Sequence, residues 1–87
     1  MQERHTNLQR YFNEQSITTK KFVIPYIEQL KPIVKGTRVL EIGCGTGGNL
    51  LPFLEAGCMV TGVDIAAQSI QLAGELLGQR ENLTLIA

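Results

Sequence analysis

The stretch Val39-Leu40-Glu41-Ile42-Gly43-Cys44-Gly45-Thr46-Gly47-Gly48 decides how this chain reads. Val39–Ile42 is a short apolar run of strand type, and the glycines behind it mark a sharp turn. A backbone that leaves a strand this abruptly and lets a ligand approach it closely needs positions without side chains, some of them at positive φ. Asn49–Ala56 then reads as a helix with Leu50, Phe53 and Leu54 on one face. Pro52 falls in or near its first turn, where a missing N–H is tolerated, and Gly57 is its stop signal.

Downstream of that turn the pattern repeats. Met59–Val63 is a second strand, apolar on both faces apart from Thr61 and Gly62, as expected of a buried parallel sheet, and Asp64 closes it. Ala67–Leu77 is a helix with Ile70, Ala73, Leu76 and Leu77 facing inward and Gly78 ending it; Leu83–Ile86 begins a third strand. The order βαβαβ with short loops predicts an α/β fold with right-handed crossovers and a parallel sheet. With the chain ending at Ala87, beside the third strand, a piece of a larger domain is expected.

Upstream, residues 1–36 read as a helical extension and residues 37–87 as the sheet-forming unit. Leu8, Tyr11 and Phe12 share one face of an amphipathic helix, read as docking on the domain in preference to closing over a ligand. A second helix is predicted from an N-cap at Thr18 or Thr19 to Leu30, carrying Phe22, Val23, Tyr26, Ile27 and Leu30, with Tyr26 in the core and a kink or break at Pro25. Lys31-Pro32 and Lys35-Gly36 punctuate the turn that follows. His5 and the scattered Lys20, Lys21, Lys31 and Lys35 read as solvated side chains.

The 87 residues are enough for one small domain, and a chain this short buries only about two-thirds of its unfolded surface, too little for a full enzyme core. Eight basic and eight acidic residues balance to zero, and no basic run offers electrostatic capture of nucleic acid or an anionic membrane. The polar start lacks a signal-peptide core, and no apolar stretch approaches the roughly 20 residues that span a bilayer. Cys44 and Cys58 read as two free thiols of a reducing cytoplasm, with no disulfide or metal pair expected.

In such sheets ligands bind at the carboxyl ends of the strands, where both the glycine turn and Asp64 fall. A carboxylate there can accept from both ribose hydroxyls of an adenosine. The glycine spacing alone is ambiguous: Gly43, Gly45 and Gly48 fit G-x-G-x-x-G, the dinucleotide pattern, and Gly43, Gly45 and Gly47 fit G-x-G-x-G. Glu41 bears on the choice. A lone carboxylate in a buried strand costs several kcal/mol unless it finds partners, such as turn N–H groups or a cationic ligand. It would repel a pyrophosphate and welcome an ammonium.

Val39–Gly47 together with Val60-Thr61-Gly62-Val63-Asp64 resembles the first two motifs of class I S-adenosylmethionine-dependent methyltransferases, over about residues 38–87. The resemblance implies a Rossmann-like, seven-stranded parallel sheet, of which three strands are present, and an N-terminal lid upstream. It implies S-adenosyl-L-methionine as cofactor. Gly43, Gly45 and Gly47 would line its methionine part, with Cys44 between them; Glu41 would organise the turn near its amino group. Asp64 would hold the ribose hydroxyls, and Ile65 would pack against the adenine. No catalytic residue is carried over, because the family's substrate-facing loops lie beyond the matched motifs. A small-molecule methyl acceptor is expected, with no nucleic-acid or membrane partner. The rival readings are a nicotinamide- or flavin-dependent oxidoreductase, which the glycine spacing allows and Glu41 opposes, and a non-catalytic nucleoside-binding module.

Overall fold

The structure, a computed structural model, describes residues 2–87, with side chains from Asn7 onward. The side chain of His5 therefore lies outside the described residues. Helix α1 (Gln2–Thr18) leads through a π-helical turn (Thr19–Val23) into α2 (Ile24–Glu28). Then follow β1 (Arg38–Ile42), α3 (Leu51–Glu55), β2 (Met59–Val63), α4 (Ala67–Leu77) and β3 (Leu83–Ile86). The three strands form one parallel sheet in the order β1-β2-β3, with Glu41 opposite Gly62 and Gly62 opposite Leu85. The α/β architecture and the bounds of β2, α4 and β3 match the sequence reading; β1 begins one residue earlier, at Arg38, and α3 is shorter at both ends than the expected Asn49–Ala56.

Side chains alternate across a strand, so each face of the sheet is read separately. Val39, Val60, Gly62, Leu83 and Leu85 face α3 and α4, and the core gathers there: Leu50, Phe53, Leu54, Cys58, Val60, Ala73 and Leu77, with Phe12 of α1 joining it. The opposite face, with Leu40, Ile42, Met59 and Ile86, is uncovered; Ile42 is 79 % exposed. The expectation that β2 is buried on both sides is therefore corrected. Its composition suits two-sided burial, but both crossover helices pack on one face.

The N-terminal region departs furthest from the sequence reading. Thr18 is no N-cap: its φ of −62° and ψ of −44° are helical, and the helix runs on. Pro25 lacks the N–H that would return to the Lys21 carbonyl, and its ring crowds that carbonyl. The chain accommodates this without breaking. The turn before Pro25 widens, and the Ile24 N–H reaches back five residues to the Thr19 carbonyl. The extra residue shifts the apolar stripe, so Phe22 and Tyr26 turn to solvent (Tyr26 is 67 % exposed) while Ile24, Ile27 and Ile33 pack against the core. Tyr26 is thus not a core residue. In α1, Phe12 docks into the core as expected, and Tyr11 is exposed beside it.

Candidate functional site

The turn after β1 is built by alternate glycines. Gly43, Gly45 and Gly47 have φ of +78°, +58° and +86°, a region an L side chain rarely adopts. Gly48 does not share that conformation; a Cβ there would lie 2.6 Å from Gln15 Oε1 and 2.7 Å from the Phe12 carbonyl oxygen. The two spacings read from the sequence thus separate. G-x-G-x-G sets the path of the turn, and the last glycine makes room for α1. The Gly43 and Cys44 N–H groups both donate to the Val63 carbonyl, at 2.6 and 3.0 Å, which ties the turn to the end of β2.

Asp64 follows directly on β2 and reaches across to the turn. Its Oδ2 accepts from the Gly45 N–H at 2.8 Å, and its Oδ1 accepts from the Ala66 N–H at 2.8 Å. These two backbone donors hold its carboxyl below the ordinary aspartate range. A carboxylate has about four lone-pair sites, so two backbone bonds leave acceptor capacity for two hydroxyls. Ile65, next in sequence, is 99 % exposed. With Ile42, Gly43, Val63, Asp64 and Ala87 it lines a groove of about 530 Å³ at the carboxyl ends of β1 and β2.

Glu41 projects to the covered face of β1, opposite the side-chain-free Gly62. Its Oε2 accepts from Asn49 Nδ2 at 3.2 Å. Its Oε1 is buried and, among the described residues, has no hydrogen-bond partner. Loss of water pushes the Glu41 carboxyl above its ordinary value, and the Asn49 bond opposes that shift in part. An unpaired buried carboxylate oxygen is costly, so this atom is a standing demand for a donor.

Cys44 is buried, and both its thiol and its backbone are engaged within the turn. Its N–H goes to Val63, its carbonyl accepts from the Gly47 N–H at 3.0 Å, and its Sγ lies 3.7 Å from the Gly45 carbonyl oxygen. Burial, then the charges of Glu41 and Asp64, raise its thiol pKa, which is the opposite of an activated nucleophile. Cys44 and Cys58 are both free and buried. Among the described residues, no cluster of three or more His, Cys, Asp or Glu side chains could hold a metal, and no helix is long and apolar enough to cross a membrane.

Three residues that contribute to the site escaped the sequence reading. Asn49 sits between the turn and α3 and holds Glu41; Thr19 Oγ1 donates to Asn49 Oδ1 at 2.8 Å; Ser16 Oγ donates to the Gly48 carbonyl at 2.7 Å. A signal was available. Phe12, Gln15, Ser16 and Thr19 fall at i, i+3, i+4 and i+7, one face of a helix. The prediction of a break at Thr18 or Thr19 divided that stripe between two helices.

Among solved structures, the TehB-like S-adenosylmethionine-dependent methyltransferase of Corynebacterium glutamicum superimposes with a TM-score of 0.62 over 95 % of this chain and 44 % of its own, at 19 % identity, a likeness of fold. The phosphoethanolamine N-methyltransferase 2 of Haemonchus contortus, in complex with S-adenosyl-L-methionine, is 28 % identical with a TM-score of 0.59, over 70 % of this chain and 15 % of its own. In sequence, the chain is 38 % identical over 50 residues to the ubiquinone biosynthesis O-methyltransferase of Bordetella avium. That match covers 58 % of this chain and 21 % of the relative, so the chain spans about a fifth of its length. Residues 39–87 match the family model described as a methyltransferase domain. With more than half of its length so matched, and the glycine turn, Glu41 and Asp64 inside the match, the chain belongs to the methyltransferase-domain family.

Proposed function

We propose that this site binds S-adenosyl-L-methionine and that the protein it serves transfers the cofactor's methyl group to a small-molecule acceptor in the cytoplasm. The observation that carries the reading is the buried Oε1 of Glu41, without a hydrogen-bond partner among the described residues, beside a turn whose three alternate glycines leave the backbone bare. A carboxylate oxygen of that kind suits the ammonium of a methionine moiety and opposes a pyrophosphate, so the nicotinamide and flavin readings are disfavoured.

The residues fit the group. Gly43, Gly45 and Gly47, with Cys44 shaping the turn between them, would hold the methionine part, and Glu41 its ammonium. Asp64, which keeps lone pairs free after its two backbone bonds, would take the ribose hydroxyls. Ile65, an apolar side chain wholly in water beside Asp64, offers a surface for the adenine. When bound, the sulfonium supplies an electrophilic methyl group. The chain's own part is to fix the cofactor's orientation for in-line approach of the acceptor, and orientation of that kind supplies much of the rate. Residues 1–36 act as a helical cover on the turn, and residues 37–87 as the cofactor-binding half of a larger sheet domain. Balanced charge and the methyltransferases named above support a small-molecule acceptor.

The test separates ribose recognition from turn building, since Asp64 does both. Wild-type full-length protein is titrated with S-adenosylhomocysteine and with its 2′,3′-dideoxy analogue, and Asp64→Ala is titrated with the same pair. Wild type prefers the ribose form by about tenfold or more, and Asp64→Ala loses that preference. An equal preference in both proteins overturns the ribose assignment.

A further inference from the structure

The carboxylate of Glu41 is set by residues that lie outside the glycine turn. Among the described residues, Thr19 is the one buried polar side chain, only 2 % exposed. Its hydroxyl donates to Asn49 Oδ1 at 2.8 Å, and Asn49 Nδ2 donates to Glu41 Oε2 at 3.2 Å. The order of donors and acceptors is forced. An ionised carboxylate only accepts, so the Asn49 amide must present its NH₂ to Glu41 and its oxygen to Thr19. Thr19 is the donor that satisfies that oxygen. Without it the amide is free to rotate, and Glu41 loses its fixed partner.

The same helix face rests on the residue before Asn49. Ser16 Oγ donates to the Gly48 carbonyl at 2.7 Å, and the Phe12 carbonyl oxygen lies 2.7 Å from where a Gly48 Cβ would be. Seating α1 therefore delivers Thr19 to Asn49, the side chain that holds Glu41. The π-helical turn starts at Thr19, so the last residue of the contacting stripe is also where the helix changes its winding. Lifting α1 would take the Thr19 hydroxyl from Asn49 and leave the Glu41 carboxylate without a fixed partner, and a carboxylate that is free to move gains less from a ligand cation than one held in place.

We propose that Thr19 and Asn49 are positioning residues that hold the Glu41 carboxylate by one oxygen and leave the other for the ligand, so that seating of the N-terminal helix on Gly48 and occupancy of the cofactor site are coupled. The inference rests on the S-adenosylmethionine reading above. Coupling of this kind is reciprocal: helix seating tightens ligand binding by the same factor that the ligand favours the seated helix.

The test uses the full-length protein and S-adenosylhomocysteine as probe. Two quantities are measured on wild type, Thr19→Val and Thr19→Ser: calorimetric affinity, and backbone hydrogen exchange over residues 12–23 with and without saturating probe. In wild type the probe slows exchange over those residues. Thr19→Val, matched in shape but without the hydroxyl, weakens binding about fivefold or more and loses the probe-dependent slowing. Thr19→Ser, which keeps the hydroxyl, retains both; a role in packing alone would not be rescued this way. If Thr19→Val fails to fold, Asn49→Ser cuts the relay at its half-buried middle and is read by the same two measurements. Wild-type binding with Thr19→Val unchanged in affinity and in slowing overturns the relay and leaves the cofactor reading standing. A wild type that does not bind the probe overturns both.

Discussion

Gly62→Ala sets two effects of known sign against each other. Gly62 lies in the middle of β2 with its α-carbon facing the core, directly opposite Glu41. Judged as a strand residue alone, alanine should be better than glycine by roughly 0.5–1 kcal/mol, because it surrenders less backbone freedom on folding. Packing argues the other way. A Cβ at Gly62 would lie 2.8 Å from Leu50 Cδ1, 3.0 Å from Cys44 Sγ and 3.2 Å from Leu85 Cδ2. Leu50 and Cys44 are both buried, and the glycine turn confines Cys44, so the two nearest neighbours have little room to yield. Inserting one methyl into a filled core costs about 1–3 kcal/mol, which exceeds the propensity gain. The net expectation is a loss of about 1–2 kcal/mol. With a urea dependence of roughly 2 kcal/mol per molar, the unfolding midpoint falls by about 0.5–1 M. Circular dichroism against urea on the full-length protein reads it. The sign should change in the Leu50→Ala background: with Cδ1 gone, adding the methyl to Gly62 becomes neutral or favourable relative to Leu50→Ala alone. An unchanged or raised midpoint for Gly62→Ala in the wild-type background would refute the claim that this glycine exists to let the turn and Leu50 descend onto the strand.

Two further outcomes follow from the electrostatics. Burial raises the Glu41 carboxyl above its ordinary 4.5, so the stability it contributes is present below that value and is lost as pH rises through the folded value. Glu41→Gln should therefore unfold at a urea midpoint equal to or above wild type at pH 7, with a flatter pH dependence on the acidic side, while binding S-adenosylhomocysteine more weakly; a less stable variant with intact binding would contradict both halves. Burial likewise raises the thiol pKa of Cys44 and of Cys58, so iodoacetamide should label native protein at pH 7.5 far more slowly than urea-unfolded protein, and rapid labelling of the native form would refute the inert reading.

The sheet was legible in the sequence because its signals are local. Val39–Ile42, Met59–Val63 and Leu83–Ile86 are apolar runs bounded by glycine, aspartate or the asparagine-bearing turn, and α4 has a full amphipathic period ended by Gly78. The glycine turn was legible for the same reason, although only the backbone distinguishes a glycine needed for positive φ from one needed for clearance, as at Gly47 and Gly48. The N-terminal helices were harder to read. Phe22 and Tyr26 have the spacing of a core face, and periodicity does not say whether a face finds a partner; a single widened turn ahead of Pro25 redirects them to solvent. A buried threonine and a threonine N-cap look alike in sequence, and the partner that separates the two readings of Thr19 is Asn49, far along the chain. Asn82 shows the same limit: its side-chain amide donates to the distant Leu54 and Cys58 carbonyls and pins the α3–β2 corner to β3.

The central claim is that the glycine turn, Glu41 and Asp64 select a cationic, adenosine-bearing cofactor. Calorimetric titration of the full-length protein with S-adenosylhomocysteine, beside a parallel titration with NAD⁺, tests it most directly. Saturable binding of S-adenosylhomocysteine with no heat from NAD⁺ is the predicted result. Preferential binding of NAD⁺, or binding of neither by folded protein, would contradict it.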